Sequence, residues 1–421
     1  MRLTLPLLLF SLAAYSQPDT VITVNLENEA VRRYMSEVTY TSLEDTSKVN
    51  DFNVAPPRRR DLPNGAVVPI PAGANGAVTL VYADSADYVT GAHTIAVENG
   101  AKEVTVYNLI PQRKYYYKIE DETNVLTRGE IHTEGQVRMI YVPSTNNVRD
   151  LGGWRTTDGR MVKYGKLFRG AELNGQHDAD STDIAVFTDL LGVGGEIDMR
   201  NSRNPGAGTS VFGFKVSTYG NLDEPTYYCT WDSGMIPQNL PVYNWRYRWR
   251  REFEFIVNNF QHGRNVFFHC TWGGDRTGYL ALLLEGLLGV EYDGMIKDYE
   301  LTSFYAPGRV KEKIDSVIIY IQDIEGETLR DKFNKFFVDS LKTTQDKIDY
   351  FRTVMLTDTI ASIDDSGEGD DENPITAIRH YAKAARKATL YGISGQQVGR
   401  TGRKGLVIEI DSDGKVRKIV R

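Results

Sequence analysis

From about Gln17 to Gly135 the chain runs in short stretches where apolar and polar residues alternate: AVTLVYA (77–83), EVTVYNLI (103–110) and KYYYKIE (114–120). Clusters of Gly, Pro, Asn and Asp separate them. A period of two with regularly spaced turn residues predicts a β-sandwich over 18–136. From about Val137 the pattern changes. RMIYV (138–142), GVGGEIDMR (192–200) and NVFFH (265–269) predict apolar strands, while WRREFEFIVNNF (249–260) and TGYLALLLEGLLG (277–289) carry helical spacing. The second of these has leucines on several faces, as a buried helix does. Strands alternating with helices predict an α/β domain with a mostly parallel central sheet over 137–356.

Beyond it, SIDDSGEGDDENP (362–374) is acidic and poor in apolar residues, which predicts a linker over 357–376. The remainder, 377–421, combines basic residues with two candidate hairpins, YGISGQQV and LVIEIDSDGKVRKIV, the second turning at Asp413 and Gly414. Tyr391, Ser394, Gly395, Val398, Lys404, Gly405 and Ile408 resemble the pattern in C-terminal tails of exported proteins of Bacteroidetes-type bacteria. That resemblance implies sorting to the outer membrane or cell surface; a small sheet packed on the catalytic domain is the alternative. At the other end, one arginine, an apolar run from Leu3 to about Ala14 and small residues near Ser16 have the order of a signal peptide over 1–17. The run is shorter than the roughly 20 residues of a membrane span. The expectation is export to the periplasm, the cell surface or the medium.

A length of 421 residues suits two or three domains. With 41% hydrophobic and 25% charged residues and a formal net charge of −7, the composition is that of a globular protein with no basic bias toward nucleic acid. The chain has only two cysteines, Cys229 and Cys270. A disulfide between them is formally open. Cys229, in TYYCTW, has the flanks of a buried small apolar residue. Cys270 stands elsewhere, in HCTWGGDRTGY (269–279).

There a strand delivers His269 and Cys270, a turn passes through Thr271, Trp272, Gly273 and Gly274, and Asp275, Arg276 and Thr277 open a long apolar helix. Converging N–H groups and the positive end of the helix make such a loop an anion cradle, and the same field stabilises a thiolate, so Cys270 is the expected nucleophile. Arg276, six residues on, is placed to grip two phosphate oxygens with its planar fork. Thr277 is expected to hydrogen-bond the sulfur, and His269 to orient backbone beneath the loop. A nucleotide-binding P-loop is excluded, since no G-x4-G-K-[ST] run is present.

Cys-x5-Arg-Thr after an apolar strand and His resembles the signature loop of the cysteine-dependent phosphatases. Together with TNNVRDLGGWRTTDGRMVKYGKLFRGAEL (145–173), EIDMR (196–200) and KDYELTSF (297–304), it resembles the bacterial tyrosine-phosphatase-like family, over roughly 139–310. Family enzymes act on phosphotyrosine, phosphoserine or phosphothreonine, and phosphoinositides. The resemblance implies a phosphorylated substrate, a phosphocysteine intermediate and no cofactor. One departure is Gly274, where many relatives carry a lysine suited to polyanionic headgroups. Leu109, Pro111, Tyr115, Tyr117 and Thr133 resemble the end of a fibronectin type III or immunoglobulin-like module, which implies a spacer or binding module of unknown ligand.

A general acid must protonate the leaving oxygen. Asp275, inside the loop, is preferred; Asp198, ending a strand, is a second candidate and Asp150 a weaker third. Asp198 can instead pair with Arg200 or Arg276, and Asp150 can brace its Gly152–Gly153 turn. The six histidines lack metal-ligand spacing. WRYRWRR (245–251) alternates aromatic and basic residues, but Trp245, Trp249, Glu252, Phe253 and Ile256 share one helical face, which predicts a core helix rather than a nucleic-acid or lipid surface. Two rival readings stand beside a phosphotyrosine phosphatase: a phosphatase of inositol phosphates or phosphoinositides, and a surface protein that binds phosphate without turnover.

Overall fold

The computed structural model describes residues 20–52, 61–73, 76–175, 178–216, 224–230 and 243–357, with side chains in 243–261 only from position 246 on. It adds the backbone of three strands at 389–392, 406–410 and 416–420. The expected signal peptide, most of the linker and the turn at Asp413 lie outside the described residues.

The N-terminal part contributes strands β1 (Val21–Asn25), β2 (Ala66–Pro69), β3 (Val78–Ala83), β4 (His93–Val97), β5 (Glu103–Val106), β6 (Lys114–Glu120) and β7 (Val125–Glu134), with helix α1 (Glu29–Glu37) between the first two. Five strands form a sheet in the order β1-β7-β6-β3-β4, and β2 pairs with β5 in a second sheet. All pairings are antiparallel except β1 with β7. Alternation decides which side chains face inward. Tyr115, Tyr117 and Ile119 of β6 meet Leu80 and Tyr82 of β3, Ala66 and Val68 of β2 and Val106 of β5 in one core.

The larger body follows, with β8 (Arg149–Asp150), β9 (Leu167–Gly170), α2 (Ser181–Ala185), β10 (Val193–Asp198), β11 (Lys215–Val216), β12 (Thr226–Cys229), α3 (Tyr243–Gln261), β13 (Asn265–His269), α4 (Asp275–Leu288), α5 (Tyr292–Leu301), α6 (Asp315–Gln322), α7 (Leu329–Lys335) and α8 (Gln345–Met355). Its sheet runs β11-β12-β10-β13-β9-β8, parallel throughout except for β8 against β9. Helices cover strands of this kind on both faces, so they need apolar side chains on both faces; Val266, Phe267 and Phe268 of β13 are all fully buried. RMIYV, expected as a strand, makes only an isolated bridge from Met139 to Arg149. Helix α4 is buried from Thr277 to Leu288 and ends at Gly289, whose φ of 81° is the left-handed stop that glycine tolerates. On α3, Trp249, Glu252, Phe253 and Ile256 of the predicted stripe are buried, and the Trp245 side chain lies outside the described residues.

Helix α1 lies within the span read as strands, yet it packs elsewhere. Asn28 caps it by accepting from Val31 N at 3.1 Å. Val31, Tyr34, Val38, Tyr40, Val49 and Phe52 all join the core of the larger body. The Tyr34 and Tyr40 hydroxyls both donate to Glu300 Oε2, at 2.7 and 2.6 Å. Lys297 and Lys311 donate in return to the carbonyls of Met35 and Leu43. Chain order and packing order therefore differ, because an amphipathic helix buries its apolar face wherever one is offered.

In the tail, β14 (Thr389–Gly392) pairs with β15 (Leu406–Ile410), which pairs with β16 (Val416–Val420), each antiparallel. The second expected hairpin thus matches β15 and β16. The first, YGISGQQV, lies outside the described residues beyond Tyr391 and Gly392, which belong to β14. Among the described residues no helix is long and apolar enough to cross a membrane.

Candidate active site

Strand β13 sits between β10 and β9, so its C-terminal end opens at the centre of the sheet edge, where α/β folds bind ligands. Cys270 is the next residue and is buried. The loop after it is held from outside, carbonyl by carbonyl. Glu172 N donates to Thr271 O at 3.3 Å, Asn147 Nδ2 to Trp272 O at 3.1 Å and Arg169 Nη2 to Gly273 O at 3.0 Å. In a trans peptide the N–H opposes the C=O, so the N–H groups of Trp272, Gly273 and Gly274 are turned away from these scaffold donors. Such a row of free N–H groups at a helix N-terminus suits an anion.

Glycine is obligatory at one point. Gly273 has φ +65°, and a Cβ there would lie 2.4 Å from the Gly170 carbonyl. Arg276, in the first turn of α4, reaches across the loop: Nη1 donates to Met199 O at 2.6 Å and Nη2 to Thr271 Oγ1 at 3.4 Å. The loop residues expected from sequence, from Thr271 to Thr277, are thus gathered round Cys270. One expected contact is missing. The Thr277 hydroxyl is buried and has no hydrogen-bond partner, so it does not bond the sulfur in this structure.

His269 lies beneath the loop, stacked on Phe267, with Nε2 3.0 Å from Glu196 Oε1. Glu196 also accepts from the Ser210 hydroxyl. Arg169 and Arg149 together grip Asp298 on α5, and Arg149 also donates to Asn147 Oδ1. Asn147 and Gly273 are therefore both tied to one buried carboxylate. Burial alone would raise Asp298, but Arg149 and Arg169 outweigh it and hold it below the usual carboxylate range. Glu285 of α4 sits in the same network and takes the opposite shift: burial, then the Asp298 charge, pushes it well up.

Two of the three acid candidates are structural. Asp198 is fully buried; Arg200 grips both its oxygens at 2.9 and 2.8 Å and Tyr227 donates at 2.8 Å. Burial favours its neutral form, but His269 and the Arg200 guanidinium prevail and keep it well below the usual range, leaving no proton to give. Arg200 continues to Glu172 at 3.0 Å, which fixes the segment that holds Thr271. Asp150 is buried too and braces a joint, accepting from Gly152 N, Gly165 N and Arg138, whose other nitrogens reach the Asn108 and Leu109 carbonyls of the N-terminal part. Asp275 differs: it is 44% exposed, in the loop itself, and pairs with Arg309 at 2.8 Å.

Sequence reasoning missed Arg169, Glu196, Asp298 and Arg309. A charged residue inside an apolar strand, as in KLFRG, is the signal that could have found Arg169. Neither cysteine is in a disulfide, and both are buried. Cys229 and His269 flank Asp198 on opposite sides, so Cys229 and the loop stand about 9–10 Å apart across two strand spacings. A disulfide needs Cα atoms within about 7 Å.

Residues 140–357 match the tyrosine phosphatase family. The chain belongs to that family. A protein of Cupriavidus necator whose name assigns it to the tyrosine-protein phosphatases is 30% identical over 165 residues, which cover 37% of this chain and 59% of that protein. The chain thus spans under two thirds of the length of this curated relative. The family match takes in the whole signature loop and its scaffold, Arg149, Arg169, Asp198, Asp298 and Arg309 included.

Proposed function

We propose that this chain hydrolyses phosphate monoesters, phosphotyrosine-like aryl esters foremost, through a phosphocysteine at Cys270. The observation that carries this reading is the loop itself: a buried cysteine at its base, N–H groups turned away from the scaffold, and Arg276 pinned across it. In the first step the Cys270 Sγ attacks phosphorus and the ester P–O bond breaks. Asp275 gives the leaving oxygen a proton. In the second step water attacks phosphorus, the S–P bond breaks, phosphate departs and Asp275 recovers its proton. Arg276 and the loop N–H groups stabilise the equatorial oxygens throughout. Trp272 is 41% exposed and its ring lies 6.0 Å from that of Tyr305, which offers an aryl ester a surface to stack on.

The N-terminal part is proposed as a fibronectin type III or immunoglobulin-like sandwich. Supporting this, the two sheets share one core, and the Tyr115 hydroxyl accepts from Ile110 N at 2.9 Å, the corner such modules use. Export is proposed from the order of charged, apolar and small residues over 1–17.

The test is hydrolysis of para-nitrophenyl phosphate by the mature protein under reducing conditions, beside Cys270→Ser and with EDTA. Turnover that survives EDTA and falls by about 10⁴-fold or more in the variant is expected. Tight oxyanion binding with no turnover on any aryl ester would instead favour a phosphate-binding surface protein.

A further inference from the structure

One guanidinium, that of Arg276, is enough to grip a single phosphate. A second lies over the same loop. Arg309 follows the turn at Gly308, φ +90°, and Ser303 clasps its backbone, Oγ accepting from Arg309 N at 2.9 Å and donating to Arg309 O at 2.7 Å. The side chain returns over the loop so closely that a Cβ built on Gly274 would lie 2.6 Å from Arg309 Nε. Nη2 donates to Asp275 Oδ2 at 2.8 Å, and Nη1 lies 3.3 and 3.4 Å from the carbonyls of Ala306 and Pro307. Nε is buried with no hydrogen-bond partner. The absence of a side chain at Gly274 is what admits this cation.

The resting partner is weakly held, because an ion pair with a half-exposed carboxylate gains little over solvent. A phosphate or second carboxylate beside the loop competes well for the same fork, since it brings more charge or a bidentate geometry. Exchange of Asp275 for such a group would also leave the Asp275 carboxyl free to face the leaving oxygen.

We infer that Arg309 is a second anion-binding residue of this site and selects substrates that carry a further anionic group beside the phosphate seated over Cys270. The inference rests on the proposed phosphate site, and its test reads binding apart from turnover. Orthophosphate and pyrophosphate affinities are measured by calorimetry on the full chain carrying Cys270→Ser. A preference for pyrophosphate is expected. Adding Arg309→Ala should cut that preference about tenfold and leave orthophosphate within about twofold. Adding Gly274→Lys to Arg309→Ala puts an ammonium over the same point and should restore the preference, which a merely structural arginine would not allow. An unchanged preference in Arg309→Ala overturns the inference alone; failure to bind either anion overturns the phosphate site with it.

Turnover identifies the source of the anion. With Cys270 intact, an about tenfold fall on Arg309→Ala in the ratio of kcat/KM on an acidic phosphotyrosine peptide to that on its neutral counterpart assigns a peptide carboxylate. The same fall in the ratio for inositol hexakisphosphate over the neutral peptide, with the ratio between the two peptides unchanged, assigns a second phosphate. Both ratios unchanged overturn the selection.

Discussion

Arg169 holds Gly273. Its Nη2 donates to the Gly273 carbonyl at 3.0 Å, while Nη1 grips Asp298, so a buried ion pair sets the shape of the loop round Cys270. Removing one partner of such a buried cluster costs about 3–5 kcal/mol. Arg169→Met is expected to lower Tm and to weaken vanadate binding at least about tenfold even where the chain stays folded. Unaltered vanadate affinity in folded Arg169→Met would show that the loop keeps its form without this tie.

Gly273 and Gly165 separate strain from collision. Both have positive φ, +65° and +79°, but a Cβ at Gly165 meets nothing within 4 Å and one at Gly273 strikes the Gly170 carbonyl. Gly165→Ala should cost only the left-handed penalty of about 1–2 kcal/mol with kcat unchanged. Gly273→Ala should abolish turnover and oxyanion binding. Comparable kcat in the two variants would refute the distinction.

Asp198 and Asp275 should part company in their pH and leaving-group behaviour. Asp198 is held below its unfolded value, so its stabilisation is complete at neutral pH and fades as pH falls below about 4, the ordinary carboxylate range. Asp198→Asn should therefore lose about 3 kcal/mol at neutral pH, with a gap to wild type that closes in acid by chemical denaturation. Asp275→Asn should keep its stability and slow phenyl phosphate far more than 2,4-dinitrophenyl phosphate, whose leaving group needs no proton. Equal slowing of both esters would remove Asp275 as the acid.

Glu285 carries the reverse sign. Burial and the Asp298 charge raise its carboxyl, so the folded chain keeps a proton that the unfolded chain releases, and stability declines as pH rises from the unfolded value toward the folded one. Glu285→Gln is expected to flatten that decline and to change Tm little near pH 5. A large destabilisation at that pH would mean that Glu285 is held as a carboxylate.

Tyr34 and Tyr40 supply both hydroxyls that reach Glu300 Oε2. A chain beginning at residue 137 lacks them and bares Val31's and Phe52's partners in the larger core. It should fail to fold cooperatively, whereas Tyr34→Phe with Tyr40→Phe should fold and lose about 2–4 kcal/mol. Two-state unfolding of the 137–421 piece at the full chain's Tm would contradict this.

The signature loop, the central strands and helix α4 were legible because their spacing is local: NVFFH, the glycine turn and the leucine-rich run are each read within a few residues. The loop's support was not. Arg169 and Asp298 are 129 positions apart, and Glu196 and His269 are 73 apart. No periodicity encodes such pairs. Asp198 looked like an acid because it ends a strand at the right edge, and only its donors from Arg200 and Tyr227 show that its charge is already committed. Arg309 lies beyond the last motif, and an empty Cβ position at Gly274 is what draws attention to it. Helix α1 was hidden by its neighbours, since a short amphipathic helix inside a run of strands carries no mark of which core it will join.

The path of the chain from β1 through α1 and back to β2 bears on inheritance. A recombination event at residue 136 that exchanged the strand-rich part for another would also carry away Tyr34 and Tyr40, leaving the Glu300 carboxyl without either hydroxyl. The two bodies can be passed on together, or the donor segment must bring its own replacement for residues 29–52.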